Sequence, residues 1–75
     1  MNIDEFIIKA KLSNAKFAKG LGKRKNGRYV SASAVSNYRL KMRLPNLEIG
    51  KMIEKYTKIV TVEDQLNFFY EVKEE

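Results

Sequence analysis

The residues of this 75-residue chain with the clearest chemical meaning are its bases. Residues 6–47 contain no Asp or Glu but hold eleven Lys or Arg residues. Before Asn46, eleven bases stand against two acids, a balance of +9; from Asn46 onward, four bases stand against seven acids, a balance of −3, which leaves the formal net charge at +6. A stretch of one sign this long favours a surface that binds a polyanion, nucleic acid before an anionic membrane, over a merely solvated face.

Catalytic chemistry has few candidates in this composition. The chain has no His and no Cys, which removes the commonest general base and the usual zinc ligands. It has no phosphate-binding glycine loop of the Gly-x-x-x-x-Gly-Lys type. The adjacent carboxylates Glu63 and Asp64 point in different directions on a helix and suit a surface pair. We therefore expect neither an enzyme nor a cofactor, metal or small-molecule substrate.

The apolar segments are short. The longest run near the start, residues 6–8, follows two acids and is far below the length of a membrane span, so neither a secretory signal nor a spanning helix is expected. The bases are spread over several helices and loops, which disfavours a membrane-surface helix. The expected location is cytoplasmic, associated with the nucleoid.

Apolar residues at helical spacing predict the first two helices. Ile3, Phe6, Ile7 and Ala10 fall on one face, and Asn2 forms a capping box with the residue three positions on. A second short helix opens at a cap on Ser13 and ends where Gly20 or Gly22 adopts the left-handed conformation.

A basic insert of residues 23–29 follows. Asn26-Gly27 is a signal for a two-residue type I′ turn and Tyr29-Val30 suits a strand, but the arm before the turn is three consecutive bases. A basic loop and a short exposed hairpin are both consistent with this pattern.

Three further helices are predicted after the insert. One runs from a cap at Ser31 through about residue 40, with Ala34, Val35 and Tyr38 facing inward. The next is capped by Asn46, and Thr61 caps the last. Residues 67–72 either continue that helix or extend as a strand. The fold class is therefore an all-α compact bundle of about five short helices in one domain, residues 1–75, with a core over about 2–66 and a tail over 67–75.

A short helix, a glycine and a helix with small polar residues outward suit a helix-turn-helix unit, with Ala18 as the small crossing residue opposite Val35. The chain resembles the Cro/CI-type repressor family, the lambda-repressor-like or XRE-type helix-turn-helix domains. The matching segments are residues 13–22 (SNAKFAKGLG), 30–38 (VSASAVSNY), 45–48 (PNLE) and 59–64 (IVTVED). The resemblance implies a five-helix bundle that binds operator DNA, commonly as a homodimer on a two-fold site.

Three departures from the family pattern stand out. The family passes from the glycine to the recognition helix in a few residues, whereas residues 23–29 are inserted here. Leu40-Lys41 stands where the family often has Asn-Gly, which would strain Lys41 if a left-handed residue were required. Arg39 stands where the family often has glutamate, which removes a familiar internal ion pair.

Carried over by position, the resemblance implies two sets of contacts to double-stranded DNA. The base contacts are Ser31, Ala32, Ser33, Ser36 and Asn37. The backbone contacts carried over are Asn14, Lys16, Arg39, Lys41 and Arg43. The insert matches no family position, and its bases Lys23, Arg24, Lys25 and Arg28 are added as backbone contacts from their charge. Asn37 is the best candidate for direct readout because an amide bonds both N6 and N7 of adenine, although a solvated or locally bonded Asn37 is equally consistent. The insert is either a wing on the DNA or a mobile electrostatic arm.

Phe68, Phe69 and Tyr70 are three adjacent rings that cannot all point inward from one helix. They are predicted as a dimer contact, with closure of the core as the alternative. The expected function is that of a sequence-specific transcriptional regulator, a Cro-like repressor, and size and resemblance favour a phage or another mobile element as its origin. The alternative class is a small basic module that docks on an acidic protein.

Overall fold

The computed structural model describes residues 1–71, and that part of the chain contains five α-helices and no strand. They are α1 (Ile3–Ala10), α2 (Asn14–Gly20), α3 (Ala32–Arg39), α4 (Leu47–Thr57) and α5 (Val62–Phe69). The predicted all-α bundle of about five short helices is confirmed. The helix over residues 67–72 is confirmed as far as Phe69, and Val72 lies outside the described residues.

Every helix begins at a polar residue that was predicted from the sequence as its N-cap. The caps are Asn2, Ser13, Ser31, Asn46 and Thr61. Each has an extended backbone, and its side-chain oxygen accepts the N–H three residues further on, at 2.8–3.0 Å. Since such a cap stabilises a helix by about 1 kcal/mol, five caps offset much of the weakness of helices this short.

Three of the helices end on a lysine in the left-handed conformation. Lys11 after α1 has φ 55°, Lys41 after α3 has φ 61° and Lys58 after α4 has φ 64°. After α3, the N–H of Met42 donates to the carbonyl of Asn37 at 2.9 Å, the long bond of a Schellman motif. Left-handed backbone is therefore required at Lys41. This is the condition under which Leu40-Lys41, in place of the family's Asn-Gly, was expected to strain Lys41. Lysine tolerates the strain and places its charge at the negative end of the helix dipole.

The core is centred on Phe17, whose side chain is fully buried. Its ring meets Phe6 of α1 and Tyr56 of α4 edge-on, with ring centroids 6.0 and 5.6 Å apart. Through Phe17, helix α2 thus contacts both α1 and α4. Its most extensive packing is on α3, where Ala18 and Val35 are both buried.

The left-handed glycine predicted at the end of α2 is confirmed at Gly22, with φ 85°; the backbone of Gly20 is not left-handed. A Cβ on Gly20 would lie 2.5 Å from Cζ of Tyr56, so a side chain at this position would displace the aromatic cluster. Close approach between α2 and α4 explains this glycine.

The basic insert forms a minimal hairpin with one antiparallel bridge, between Lys23 and Tyr29. The N–H of Arg24 donates to the carbonyl of Arg28 at 2.8 Å, and that of Gly27 to the carbonyl of Arg24 at 2.9 Å. The predicted type I′ turn is wrong, because Gly27 has a positive φ, 83°, and Asn26 does not. The geometry is that of a type I turn closed by a left-handed glycine, which lengthens the loop by one residue.

We predict that glycine at the left-handed positions stabilises the fold. Lys11→Gly and Lys58→Gly should each raise the free energy of unfolding by about 0.5–1 kcal/mol, because a left-handed L-residue costs more than the chain entropy of glycine. Lys41→Gly should gain less, since Lys41 also pairs with Glu71. Urea denaturation measures these changes. The matched control is Lys19→Gly, an exposed lysine inside α2 that should lose stability; a loss in Lys11→Gly as large as in Lys19→Gly would contradict the account.

Candidate nucleic-acid interface

Helix α3 presents one slender polar face. Val35 and Tyr38 are 0% and 5% exposed and face the core. The five predicted base contacts lie outside that buried stripe: Ser31, Ala32 and Ser33 are exposed, and Ser36 and Asn37 are half-buried. Within residues 1–71 the Asn37 side-chain amide has no hydrogen-bond partner, so it is available to a ligand.

Arg39 fixes this helix to the two helices before it. Its Nε donates to Oδ1 of Asp4 in α1 at 2.6 Å, and its Nη1 donates to Oδ1 of Asn14 in α2 at 2.8 Å. Arg39, which stands where the family often has glutamate, thus forms a different internal ion pair, with Asp4. Arg39 and Asn14 therefore hold the orientation of α3, and their contacts to DNA phosphates stay predictions.

Glu48 anchors the basic hairpin to α4. Its Oε1 accepts from Nε and Nη2 of Arg24 at 3.3 and 3.2 Å, and its Oε2 accepts the backbone N–H of Lys25 at 2.8 Å. The hydrogen bond from the Lys25 N–H, aided by the charge of Arg24, lowers the pKa of Glu48 below its ordinary value of 4.5 against the opposing effect of desolvation. Because Glu48 holds both the Arg24 side chain and the Lys25 backbone, the contacts favour the interpretation of the insert as a positioned wing over that of a mobile arm.

Lys41 faces the end of α5. Its Nζ lies 2.8 Å from Oε1 of Glu71 and 4.6 Å from the ring centroid of Phe68. Both contacts are intramolecular, so Lys41 joins α3 to the C-terminal segment.

The nine predicted DNA-backbone contacts therefore fall into two groups. Four of them make the contacts within the chain just described: Asn14, Arg24, Arg39 and Lys41. The other five are exposed and form no ion pair within residues 1–71: Lys16, Lys23, Lys25, Arg28 and Arg43. Lys23 lies 6.0 Å from the ring centroid of Tyr29, which leaves its charge accessible.

The three rings predicted as a dimer contact differ in exposure. Phe68 is partly buried against the core, which supports the alternative reading for that residue. Phe69 is half-buried, and its ring meets Tyr70 edge-on at 4.9 Å. Tyr70 is 64% exposed. Tyr70 is thus the ring with most surface free for a partner, and the dimer contact stays a prediction.

The sequence predicts that Tyr38 faces the core and that Tyr29 lies in a short strand. Both line a cavity of about 350 Å³ beside the start of α3, together with Ser31, Asn46 and the guanidinium-bearing residues Arg24 and Arg43. A tyrosine where phenylalanine would fill the same core space is a signal for a polar partner at the ring's end. That signal was present in the sequence at position 38.

Two other kinds of site have no candidate in the described part. Residues 1–71 contain no cluster of three or more metal-ligating side chains. Across the same residues, the helices are too short and too polar for any of them to cross a bilayer.

We predict that the amide of Lys25 reports the ionisation of Glu48. Because the folded-state pKa is lowered, the bond stabilises the hairpin above pH 4.5 and is lost as the pH falls through that lowered pKa. The ¹⁵N shift of Lys25 should show an inflection below pH 4.5 that Glu48→Gln abolishes. The amide of Gly27, which donates to a backbone carbonyl, is the internal control. An inflection at or above pH 4.5 would show that the carboxylate is not held as described.

We predict that two arginines near α3 differ in their effect on stability. Arg39→Gln should lower the free energy of unfolding by about 1–2 kcal/mol, because it breaks a charged hydrogen bond and leaves Asn14 unpaired. Arg43→Gln, which removes the same charge from an exposed side chain without an ion pair, should stay within about 0.5 kcal/mol of the parent. Urea denaturation compares the two. Equal losses would mean that Arg39 does not fix α3.

Comparisons of the chain with protein-family models, with curated proteins and with solved structures return no match. The resemblance to Cro/CI-type domains accordingly rests on this chain's own residues, and membership of that family stays a prediction.

Proposed function

We propose that this protein is a sequence-specific, double-stranded DNA-binding transcriptional regulator with a lambda-repressor-like fold, acting as a Cro-like repressor. The observation that carries the proposal is the polar face of α3. It is accessible, its side chains are small, and exposed cations without ion pairs lie on the segments before and after it in the chain. An anionic duplex is the ligand whose shape and charge suit such a face.

The dimensions of α3 suit the major groove. An α-helix with its side chains is about 10–12 Å across, and the major groove is ~12 Å wide. Ser33 and Ser36 are small enough for the helix backbone to approach the base edges closely. Asn37 supplies an amide that can bond adenine at two atoms, which is direct readout.

The cations without ion pairs would position the protein on the phosphate backbone. Lys23, Lys25 and Arg28 belong to the hairpin that Glu48 anchors, and Arg43 follows α3. With Lys16, five charges would neutralise phosphates, so the log–log slope of affinity against salt is expected near roughly −4.5. Such contacts raise affinity for any sequence and leave the choice of sequence to α3.

A homodimer completes the proposal. One α3 reads only a few base pairs, and a two-fold pair of recognition helices doubles the site, with half-site centres ~34 Å apart on one face of the duplex. Tyr70, with Phe69 against it, offers aromatic surface for a contact between copies on the C-terminal side of α5.

The test is a selection of bound fragments from random duplex DNA, followed by titration of the enriched sequence. We expect a consensus with two-fold symmetry. Asn37→Ala should weaken binding to it by about 10- to 100-fold while leaving binding to random DNA unchanged, because a bidentate base contact is lost. Asn67→Ala, an exposed asparagine on α5, is the matched control and should bind as the parent does.

The absence of any enriched consensus would contradict the proposal. Equal binding to random DNA, heparin and an acidic protein would point to the alternative class, a basic module that docks on acidic proteins. In that case Asn37→Ala and Asn67→Ala would behave alike.

A further inference from the structure

The cavity beside the first turn of α3 has a basic lining. It has a volume of about 350 Å³, several times the ~30 Å³ share of one liquid water. Arg24 reaches it from the hairpin and Arg43 from the loop after α3, while Ser31 begins the helix at its wall. Tyr29 and Arg43 are exposed, so the cavity is open at that edge. Three separate segments thus converge on one basic recess.

The hydroxyl of Tyr38 is the feature that packing does not explain. Tyr38 is 5% exposed, yet within residues 1–71 its hydroxyl makes no hydrogen bond. Every fully buried side-chain polar atom in that part of the chain has a hydrogen-bond partner. Because the Tyr38 hydroxyl has none, it is not fully buried, and it can be reached from the cavity that its residue lines. A phenolic O–H in this position has one hydrogen-bond donor to offer to a ligand.

Both arginines act on that hydroxyl. Burial raises the pKa of Tyr38, and the positive charges of Arg24 and Arg43 oppose the rise. At ordinary pH the hydroxyl therefore keeps its proton and serves as a donor beside two cations. Arg43 has no ion pair within residues 1–71. Arg24 uses Nε and one Nη2 hydrogen on Glu48, which leaves three of its five N–H donors.

We propose that this cavity is a phosphate-binding site, in which Arg43 and Arg24 supply the charge and the Tyr38 hydroxyl donates a hydrogen bond to a phosphate oxygen. The identity of the ligand rests on the proposed function: the phosphate is a backbone phosphodiester of the duplex next to the base pairs that α3 reads. A contact made partly inside the protein fixes the register of α3 more tightly than surface lysines do. This site also assigns a role to the hairpin, which places Arg24 at the cavity.

The first experiment tests the site without DNA. Inorganic phosphate is titrated into the ¹⁵N-labelled full chain, with chloride at equal ionic strength as the control for screening. We expect saturable shifts of the amides of residues 31–34 and of the Arg43 Nε. Tyr38→Phe keeps the ring and its packing and should weaken phosphate binding about tenfold, as should Arg43→Gln. Lys9→Gln, which removes an exposed charge on α1 outside the predicted contacts, should leave it unchanged.

The second experiment asks whether the phosphate belongs to DNA. Single methylphosphonate substitutions, which remove one backbone charge each, are placed along the selected duplex. At one position per half-site the parent should lose about tenfold in affinity, and Arg43→Gln should show no further loss there, because its contact to that phosphate is already gone. Tyr38→Phe should behave like Arg43→Gln, and Lys16→Gln should still lose affinity at that position.

The outcomes separate this inference from the proposed function. Phosphate shifts that stay linear, or that are the same in Tyr38→Phe and the parent, would overturn the site. A selected consensus with no methylphosphonate position coupled to Arg43 would overturn the DNA-phosphate assignment and leave the regulator function standing. Saturable phosphate binding without any DNA preference would support the site and overturn the proposed function, and the phosphate would then belong to another ligand.

Discussion

The orientation of the polar face of α3 depends on how this helix packs on the rest of the bundle. Its inner stripe, Val35 and Tyr38, is buried in the core, and Arg39 joins its last turn to Asp4 and Asn14. The inserted hairpin makes a tight turn between α2 and α3 impossible, so no short linker dictates their angle. Burial of the apolar stripe and the hydrogen bonds of Arg39 set this angle instead. Both hold the inner side of α3, so Ser33 and Asn37 face outward.

Three acids, two of them from the acidic C-terminal part, pair with bases of the basic half. Asp4 neutralises Arg39, Glu48 holds Arg24 and the Lys25 backbone, and Glu71 meets Lys41. Each of these carboxylates joins two segments of the fold and neutralises one base. Exposed bases without an ion pair within residues 1–71 include those on the hairpin, Lys16 at the start of α2 and Arg43 after α3. Six more are exposed elsewhere on the surface: Lys9, Lys11, Lys19, Lys51, Lys55 and Lys58. The positive field that a polyanion meets therefore comes from the composition of residues 6–47, and the ion pairs hold the elements together without adding to it.

Local rules predicted the helices, and long-range contacts account for the rest. The five caps and the apolar stripes depend on residues three or four apart, so the sequence is sufficient to find them. The Arg39–Asp4 pair joins residues 35 apart, and nothing in the sequence marks which base it takes. The close approach of Tyr56 to Gly20 comes from another helix, so no local pattern predicts it. The hairpin turn was misread because Asn-Gly fits more than one turn type.

The most direct measurement of the central claim is a map of backbone amide shifts of the ¹⁵N-labelled chain on binding a selected DNA duplex. The account predicts the largest changes at residues 31–37 and 23–28, with α5 little affected. Changes centred on α5, or an α3 face that keeps its free-state shifts in a saturated complex, would contradict it.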